Sequence, residues 1–291
     1  MIFLTVSAVV FLGAIQQYSG QQRTVQANQG FRTLQSQLTS LVNEVATSYP
    51  PSLGAIVHCH AAPVNTNPPL TFDTIGADNS DCIFVGKVFS YGFSSFCTNA
   101  NADSCGNYTT GSVIGRRLAY AGASTQGSSV TTFTEAKPVL LAGPPSASNP
   151  PSSLEMANLL NGVGIYKAFI RSATGTNAGD PNGLGAFAFT LSLTGDGGSS
   201  GQVNLVTLDP TFTANSTAIL STSVTALNSI NDLSTINVLS PITRINPAYG
   251  IALCLASGSS QFSEITVGAN NNPTDIQVVP TSKIDSECNL S

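Results

Sequence analysis

The first fifteen residues, MIFLTVSAVVFLGAI, constrain the fold of this chain more than any other stretch, because none of them is charged. The first charged residue is Arg23. As a helix this apolar run is roughly 22 Å long, less than the roughly 30 Å of a bilayer core. A helix that is apolar all round has to be buried, so we expect it to pack against lipid or against copies of itself. A cleaved signal peptide is the alternative interpretation, but the run has no basic region before it and no clear A-x-A site after it.

The helix is predicted to continue well beyond this run, because no proline occurs between Gln16 and Ser48. Tyr49-Pro50-Pro51 is expected to end it. In between, the polar stretch QQYSGQQ is a place where the helix could melt or kink. The sequence thus favours one helix of about 45 residues. Its second part carries one apolar stripe at helical spacing, predicted to pack on a globular body: Phe31, Leu34, Leu38, Leu41, Val42 and Val45.

After Pro51 the sequence is typical of a β protein, with short apolar runs between clusters of Gly, Asn, Pro and Ser. Residues 218–234 suit a short helix or an edge segment equally. A Pro-rich loop near 143–153 separates two halves, and neither half has enough residues to close a core alone. The predicted strands are Ala55–Cys59, Cys82–Phe89, Thr109–Leu118, Lys137–Leu141, Gly164–Ile170, Leu184–Leu193, Gln202–Leu208, Tyr249–Ala256, Glu264–Val267 and Thr274–Val279.

These patterns predict an α+β fold in two parts. Residues 1–50 form the long helix, apolar first and then amphipathic. Residues 51–291 form one composite, mostly antiparallel β head on which the helix packs.

The chain contains six cysteines, and an even number at wide spacing favours disulfides formed in an oxidising compartment. Because closing a short loop costs less entropy than closing a long one, near neighbours are expected to pair. Free buried thiols are the alternative. The predicted pairs are Cys59–Cys82, Cys97–Cys105 and Cys254–Cys288.

Charge is sparse, with 10 Lys and Arg against 15 Asp and Glu in 291 residues and a net charge of -5. This balance excludes a nucleic-acid binder built on a basic face, and we expect no nucleic-acid partner. Arg116-Arg117 is the only basic pair, which we interpret as part of a strand.

Enzyme motifs are missing, since the sequence has neither G-x-S-x-G nor a complete G-x-G-x-x-G. Asp78 and Asp81 lie close together, but their surroundings are typical of a turn. His58-Cys59-His60 is the one metal-like cluster, and the chain has no further histidine. We therefore expect no catalytic residues, no metal site and no cofactor.

An apolar helix that continues into an amphipathic half and then into a disulfide-bonded β head resembles type IV pilins and pseudopilins. The chain is most similar to the large pilin-like proteins of Saccharibacteria and related ultrasmall bacteria. The resemblance covers nearly the whole chain through short motifs: Met1-Ile2-Phe3-Leu4, Gly20–Thr24, Phe31-Arg32, Asn43–Thr47, Cys82–Lys87, Gly115–Arg117, Gly162–Tyr166, Leu184–Phe189 and Leu253–Gly258.

The resemblance implies a structural subunit of an extracellular filament that serves attachment or motility. Such a subunit is inserted in the membrane before assembly and then joins identical copies. A minor pseudopilin, or an adhesin that binds DNA or a host-surface ligand, is the alternative, with the loops 98–108 and 171–183 as candidate contact regions. The apolar residues assigned to assembly are Ile2, Phe3, Leu4, Val6, Val9, Val10, Phe11, Leu12 and Ile15.

One departure from the family concerns its processing site, a Gly before the mature N-terminus with a glutamate soon after it. Thr5 stands near the place of that glutamate, and the first acidic residue is Glu44. We expect about six residues to precede Met1 in the natural protein, since they would lengthen the apolar run past the roughly 20 residues of a membrane span. The alternative is a subunit that starts at Met1 and lacks the glutamate.

Overall fold

The computed structural model describes residues 2–47, 58–61, 70–73, 82–91, 107–120, 126–140, 154–158, 163–171, 184–194, 198–208, 247–257, 261–279 and 288. These residues form one long α-helix, one short α-helix, a 3₁₀ turn at Ala269–Asn271 and antiparallel strands. The helices are α1 (Ile2–Ala46) and α2 (Phe133–Ala136). The strands are β1 (His58–Ala61), β2 (Leu70–Asp73), β3 (Cys82–Tyr91), β4 (Asn107–Arg116), β5 (Leu118–Tyr120), β6 (Gln126–Ser129), β7 (Val139–Leu140), β8 (Leu154–Asn158), β9 (Val163–Ile170), β10 (Ala186–Thr194), β11 (Gly198–Leu208), β12 (Ile251–Ser257), β13 (Gln261–Val267) and β14 (Ile276–Val279).

Two antiparallel sheets make up the body of the described structure. The larger has six strands in the order β11-β10-β3-β4-β7, with β8 also paired to β4. The smaller has four strands in the order β14-β13-β12-β9. The pairs β1–β2 and β5–β6 form two separate two-stranded sheets. In the larger sheet, β3, β4 and β7 precede the Pro-rich segment at 143–153 and β8, β10 and β11 follow it. The two halves of the sequence therefore share one sheet.

Strand β10 shows why the larger sheet forms a middle layer. Because successive side chains in a strand point to opposite faces, an uninterrupted apolar strand needs cover on both sides. Phe187 and Phe189 belong to the core cluster under α1, whereas Ala186 and Ala188 belong to a second cluster that includes Phe133 of α2. Both faces of β10 are buried, one towards each helix.

Helix α1 covers the inner faces of both sheets. It contacts β3, β10 and β11 of the larger sheet and β9, β13 and β14 of the smaller. The six residues of the apolar stripe at 31–45 are all buried, and they share one core cluster with Phe189 of the larger sheet and Leu253 of the smaller. The described fold is thus an N-terminal helix packed on antiparallel sheets.

Helix α1 is continuous from Ile2 to Ala46. The stretch QQYSGQQ, where the sequence allowed a kink, is helical in the structure. A side chain built at Gly20 would meet no atom within 4 Å, so the helix passes this position without a close neighbour.

Helix α2 was not predicted, although its start has a recognisable signal. Thr132 caps the helix and accepts a hydrogen bond from the amide of Glu135, while the Glu135 carboxylate accepts one from the Thr132 amide. This capping box corresponds to the sequence Thr-Phe-Thr-Glu. The hydrogen bond from the Thr131 amide is the largest of the effects that together hold the pKa of Glu135 below its usual value.

Local turns correct the limits of several predicted strands. Lys137 adopts a left-handed conformation with φ 49° and ends α2, so β7 begins only at Val139. The predicted strand Thr109–Leu118 is divided at Arg117, which is exposed, whereas Arg116 is buried at the end of β4. The predicted strands Tyr249–Ala256 and Thr274–Val279 also began two residues too early.

Hydrogen-bonded turns explain these two late starts. The Gly250 amide donates to Pro247 O at 2.8 Å, so β12 starts at Ile251. The Asp275 amide donates to Asn272 O at 3.1 Å, so β14 starts at Ile276. The predicted strand Ala55–Cys59 overlaps β1 at His58-Cys59, and its first three residues lie outside the described part of the chain, as do residues 218–234.

A bulge in β3 brings two backbones into close contact. The register with β4 shifts between Phe84 and Gly86, so that Val85 is the extra residue. Gly86 has φ 154°, and a Cβ atom added to it would lie 2.1 Å from Phe189 O of β10. Only glycine fits at this position without moving β3 away from β10.

We expect Gly86→Ala to lower the free energy of unfolding by about 2–3 kcal/mol, because the new methyl group forces backbone strain in the middle of the larger sheet. Urea unfolding monitored by circular dichroism measures this loss. Gly201→Ala in β11 is the matched control, since its Cβ would lie 4.0 Å from the nearest atom, Ala46 O. Equal stability of the two variants would contradict the close approach at Gly86.

Candidate assembly surface

A buried ion pair connects the C-terminal end of α1 to the centre of the larger sheet. Lys87 of β3 donates a hydrogen bond to Oε2 of Glu44, and the Lys87 side chain is 3% exposed against 36% for Glu44. Ser40 donates to the other carboxylate oxygen at 3.3 Å. Because a buried ammonium group is costly without a counter-charge, this pair fixes where Glu44, and hence the helix, sits on the sheet.

Two further polar contacts fix the same helix at both sheets. Tyr108 of β4 donates a hydrogen bond to Oε1 of Gln37. On the other side, the side-chain amide of Gln35 (Nε2) donates a hydrogen bond to Ile276 O of β14 at 3.0 Å. Since one contact reaches the larger sheet and the other the smaller, they define the rotation of α1 about its axis.

Aromatic rings form the floor beneath α1 on the larger sheet. Phe89 of β3 stacks on Tyr108 of β4, with ring centroids 4.8 Å apart, and on Phe187 of β10, with centroids 4.9 Å apart. Phe187 meets Phe189 edge to face at 5.6 Å. These rings bury large apolar areas and leave little freedom to slide, so they give the helix a rigid support.

The outer face of the smaller sheet is tied to the C-terminal end of the chain. Cys254 of β12 and Cys288 form a disulfide, with Cα atoms 5.2 Å apart, as predicted. The Tyr166 hydroxyl of β9 donates a hydrogen bond to Cys288 O. Cys59 and Cys82 belong to β1 and β3, Cys97 and Cys105 lie outside the described residues, and both of those pairings stay predictions.

A buried carboxylate lies beside this disulfide. Glu264 of β13 is fully buried and pairs in register with Cys254. Arg171 lies 3.6 Å from its Oε1 atom and also donates to the Thr266 hydroxyl at 3.2 Å. Burial, and to a lesser degree the negative charge of Glu264, raise the pKa of Tyr166 to about 12. Cys288 itself is held on the sheet by the disulfide to Cys254 and by the hydrogen bond from Tyr166.

Among the side chains of α1 that the structure describes, those of Phe11 and of residues 20–46, Ala27 is the first that is buried against the sheets. Between Gly20 and Gln26 every residue is exposed except Thr24, which is partly covered. Closer to the N-terminus, Phe11 is 67% exposed. The part of the helix from Ile2 to Gln26 corresponds to roughly 37 Å. Among the residues that the structure describes, no helix offers an apolar stretch long enough to cross a membrane.

The residues assigned to assembly all lie on this N-terminal part of α1. Phe11 is the one whose side chain lies within the described structure; the side chains of Ile2, Phe3, Leu4, Val6, Val9, Val10, Leu12 and Ile15 lie outside it. Their assignment to assembly stays a prediction.

Little is described of the metal-like cluster, where no metal site is expected, or of the two candidate contact loops. The metal-like cluster His58-Cys59-His60 forms part of β1, and its side chains lie outside the description. Where side chains are described, no group of three or more His, Cys, Asp or Glu residues comes together. Most of the loops 98–108 and 171–183 falls outside the described ranges, including the residues between Ile170 and Leu184 other than Arg171.

Sequence reasoning missed the contacts that position α1. Glu44 is the only acidic residue before Asp73, and Lys87 lies inside an otherwise apolar strand. The apolar face of α1 and the apolar strand were predicted to pack together, and each carries a single charge, of opposite sign. This was the signal that Glu44 and Lys87 would pair.

Comparison of the chain with models of protein families, with curated protein sequences and with solved structures gives no significant match.

Replacing Glu44 with Gln preserves the shape of the side chain but leaves the Lys87 ammonium buried without a counter-charge. We expect the free energy of unfolding to fall by about 1–3 kcal/mol, somewhat less than for a fully buried pair because Glu44 is partly exposed. Glu44→Gln combined with Lys87→Met removes both charges and is expected to recover most of the loss. Urea unfolding measures both, and a double variant no more stable than Glu44→Gln would contradict the role of the pair.

The raised pKa of Tyr166 predicts a stability loss at alkaline pH. Folding favours the neutral phenol of Tyr166. The contribution of this group to the free energy of unfolding is therefore complete below pH 10, and it disappears as the pH rises towards about 12. Unfolding measured by circular dichroism from pH 8 to 12 reports this loss. Tyr166→Phe is expected to be less stable by about 1 kcal/mol at pH 8, through the missing hydrogen bond, and to lose less on going to pH 12. Parallel pH curves for the two proteins would exclude this contribution.

Proposed function

We propose that this chain is a structural subunit of an extracellular filament of the type IV pilus kind. It polymerises through the apolar part of its N-terminal helix, as the resemblance to type IV pilins implies. Before assembly the same part holds the subunit at the membrane. In this proposal the chain is no enzyme, uses no cofactor, and serves attachment or motility on the cell surface.

The observation that carries the proposal is the mismatch between the length of α1 and the length of its support. The helix spans Ile2–Ala46, but among its described side chains burial against the sheets starts at Ala27, and Phe11 is 67% exposed. A single helix without packing is marginal in water, and most helical stability in proteins comes from a packed face. An apolar segment in that position calls for a partner that covers it on every side.

A polymer of identical copies supplies such a partner. Subunits related by a screw axis make heterologous contacts that do not close, so that a filament grows. Small residues in the apolar run, such as Ser7, Ala8 and Gly13, allow helices to approach closely. Burying about a dozen apolar side chains at about 1.5–3 kcal/mol each gives tens of kcal/mol before the costs of association.

In this proposal the β-rich part is the head that each subunit displays at the filament surface. Disulfides persist outside the cell because no cellular reductant reduces them there, and Cys254–Cys288 is a pair that the described residues contain. The sparse charge suits close stacking of identical heads, because like charges on neighbouring copies repel. Filament stability that barely changes with ionic strength would support this last point.

Electron microscopy of the full-length chain tests the proposal. Purified in detergent and then diluted out of it, the chain is expected to form helical filaments. A helical reconstruction is expected to have residues 1–45 at the centre and the β heads outside. Monodisperse single subunits under all conditions would overturn the filament role. In that case a minor pseudopilin or an adhesin would be the better description.

Phe11→Ser is expected to weaken assembly without weakening the fold. The ring is 67% exposed in the single chain, so its loss costs the isolated subunit little. If the ring becomes buried between copies, losing about 1.5–3 kcal/mol per contact raises the critical concentration about tenfold to a hundredfold. Sedimentation of polymer against subunit concentration measures this. Gln21→Ser, a change at an exposed polar residue of the same helix, is the control and is expected to assemble normally.

A further inference from the structure

An exposed tyrosine lies on the turn that precedes β12. The residues Pro247–Gly250 form a hydrogen-bonded turn, and Ala248 and Tyr249 at its middle are both exposed. Tyr249 is 49% exposed, and among the described residues it is the one large apolar side chain that is so exposed outside α1. Half the surface of a tyrosine side chain is roughly 100 Å². Since single exposed apolar residues are common on proteins, the neighbours of Tyr249 decide what the ring can bind.

A second loop, at residues 268–275, lies beside this turn. The backbone amide of Asn271 donates a hydrogen bond to Ala248 O at 3.2 Å, which brings Asn271 next to the corner that carries Tyr249. Three successive asparagines of this loop are exposed. The exposed ring and the exposed amides therefore share one surface, which we call the Tyr–Asn patch: Tyr249, Asn270, Asn271 and Asn272.

The backbone of the second loop holds these amides in fixed positions. Oδ1 of Asn272 accepts hydrogen bonds from the Thr274 amide at 3.2 Å and from the Thr274 hydroxyl at 2.8 Å. Asn270 and Asn271 both have φ 57°, a left-handed conformation that residues other than glycine seldom adopt. Residues in such conformations cluster at functional sites, including ligand clamps. A ligand that binds here has little loop ordering to pay in entropy.

The Tyr–Asn patch contains no charged residue, and the two described charged residues next to it have partners. Gln277 Nε2 donates to both carboxylate oxygens of Asp275, at 2.8 and 2.9 Å. The backbone amide of Arg171 donates to the turn itself, but its guanidinium donates to the Thr266 hydroxyl and lies 3.6 Å from Glu264 Oε1. The described surroundings therefore favour an uncharged ligand over a phosphate or a sulfate.

We propose that the Tyr–Asn patch binds a neutral saccharide, with one sugar ring stacked on Tyr249 and its hydroxyl groups bonded to Asn270 and Asn271. One face of a pyranose ring presents C–H groups, which the electron-rich face of an aromatic ring attracts. A side-chain amide has an acceptor oxygen and two N–H donors, so it can bond two neighbouring hydroxyl groups at once. The combination selects a ligand that is apolar on one face and rich in hydroxyl groups at its edge.

The size of the Tyr–Asn patch favours a small ligand over a protein surface. A stable protein interface buries about 800 Å² on each partner, with several apolar or aromatic residues at its centre. Tyr249 supplies roughly 100 Å² between polar side chains, an area of the order that one sugar ring covers. The inference goes beyond the proposed filament function, because the head carries the Tyr–Asn patch whether or not the chain polymerises.

Ligand-detected NMR on single full-length subunits, held in a detergent without a sugar headgroup, tests the inference. The probes are the methyl glycosides of galactose, glucose, mannose and N-acetylglucosamine, with the methyl glycoside of sialic acid as the anionic comparison. At least one neutral glycoside is expected to bind with a dissociation constant on the order of 1 mM. Its C–H protons are expected to receive saturation from the protein, and the anionic glycoside is expected to bind more weakly.

Variants of the ring and of one amide locate the binding. Tyr249→Ala is expected to weaken binding about tenfold, whereas Tyr249→Phe keeps the ring and is expected to stay within about twofold of the wild type. Asn271→Gly allows the same left-handed backbone but removes the amide, and a loss of about threefold to tenfold is expected. Val25→Ala, which shortens a side chain on α1 that is 54% exposed, is the matched control and is expected to bind normally. Thermal unfolding of each variant verifies that it is folded.

Three results overturn the inference. The first is that no neutral glycoside binds at up to about 20 mM, roughly twenty times the expected constant, which leaves a protein surface as the better partner for the patch. The second is that Tyr249→Ala and Asn271→Gly, both folded, bind as well as the wild type. The third is that the sialic acid glycoside alone binds.

The outcome of this test is independent of filament formation. A chain that polymerises but binds no sugar keeps the proposed function and loses the saccharide site. A chain that binds a neutral sugar through Tyr249 but forms no filaments loses the proposed function and keeps the site.

Discussion

The fold depends on one helix, α1, that covers one face of each of two sheets. The inner faces of both sheets contribute to a single apolar cluster, and the buried stripe of α1 is part of it. Without the helix, Phe187 and Phe189 on one sheet and Leu253 and Ile265 on the other would face water together. The face that each sheet turns towards α1 is therefore protected only when the helix is in place, whereas the opposite faces have clusters of their own, one of which includes Phe133 of α2.

Polar contacts decide where on that apolar surface the helix stops. Hydrophobic packing is not directional, so the apolar stripe alone does not specify one orientation of α1. The ion pair of Glu44 with Lys87 and the hydrogen bond of Tyr108 to Gln37 are directional and partly or fully shielded from water. They fix the orientation of α1, and with it the direction in which its N-terminal part leaves the sheets.

Periodicity explains how much of this arrangement was predictable from the sequence. The stripe from Phe31 to Val45 and the strands such as β10 and β12 have patterns that are visible over seven or more residues, and their existence was predicted. The ends of strands were less accurate, because turns such as that at Pro247–Gly250 depend on hydrogen bonds between neighbours. The bulge at Gly86 and the Lys87 pair depend on residues distant in sequence, which no local pattern encodes. The side chains of the assembly residues other than Phe11 lie outside the described structure, so their role stays a proposal.

The way α1 is held also determines how the protein would respond to tension. A pull on the N-terminal part of α1 acts along the helix axis, parallel to the surface on which the helix lies. The packed residues from Ala27 to Val45 would then be loaded together in shear, because the helix cannot leave its bed one residue at a time. Sheets that were pulled apart strand by strand would instead open one hydrogen bond after another. Such a load would therefore be shared by all the buried contacts of α1 at once.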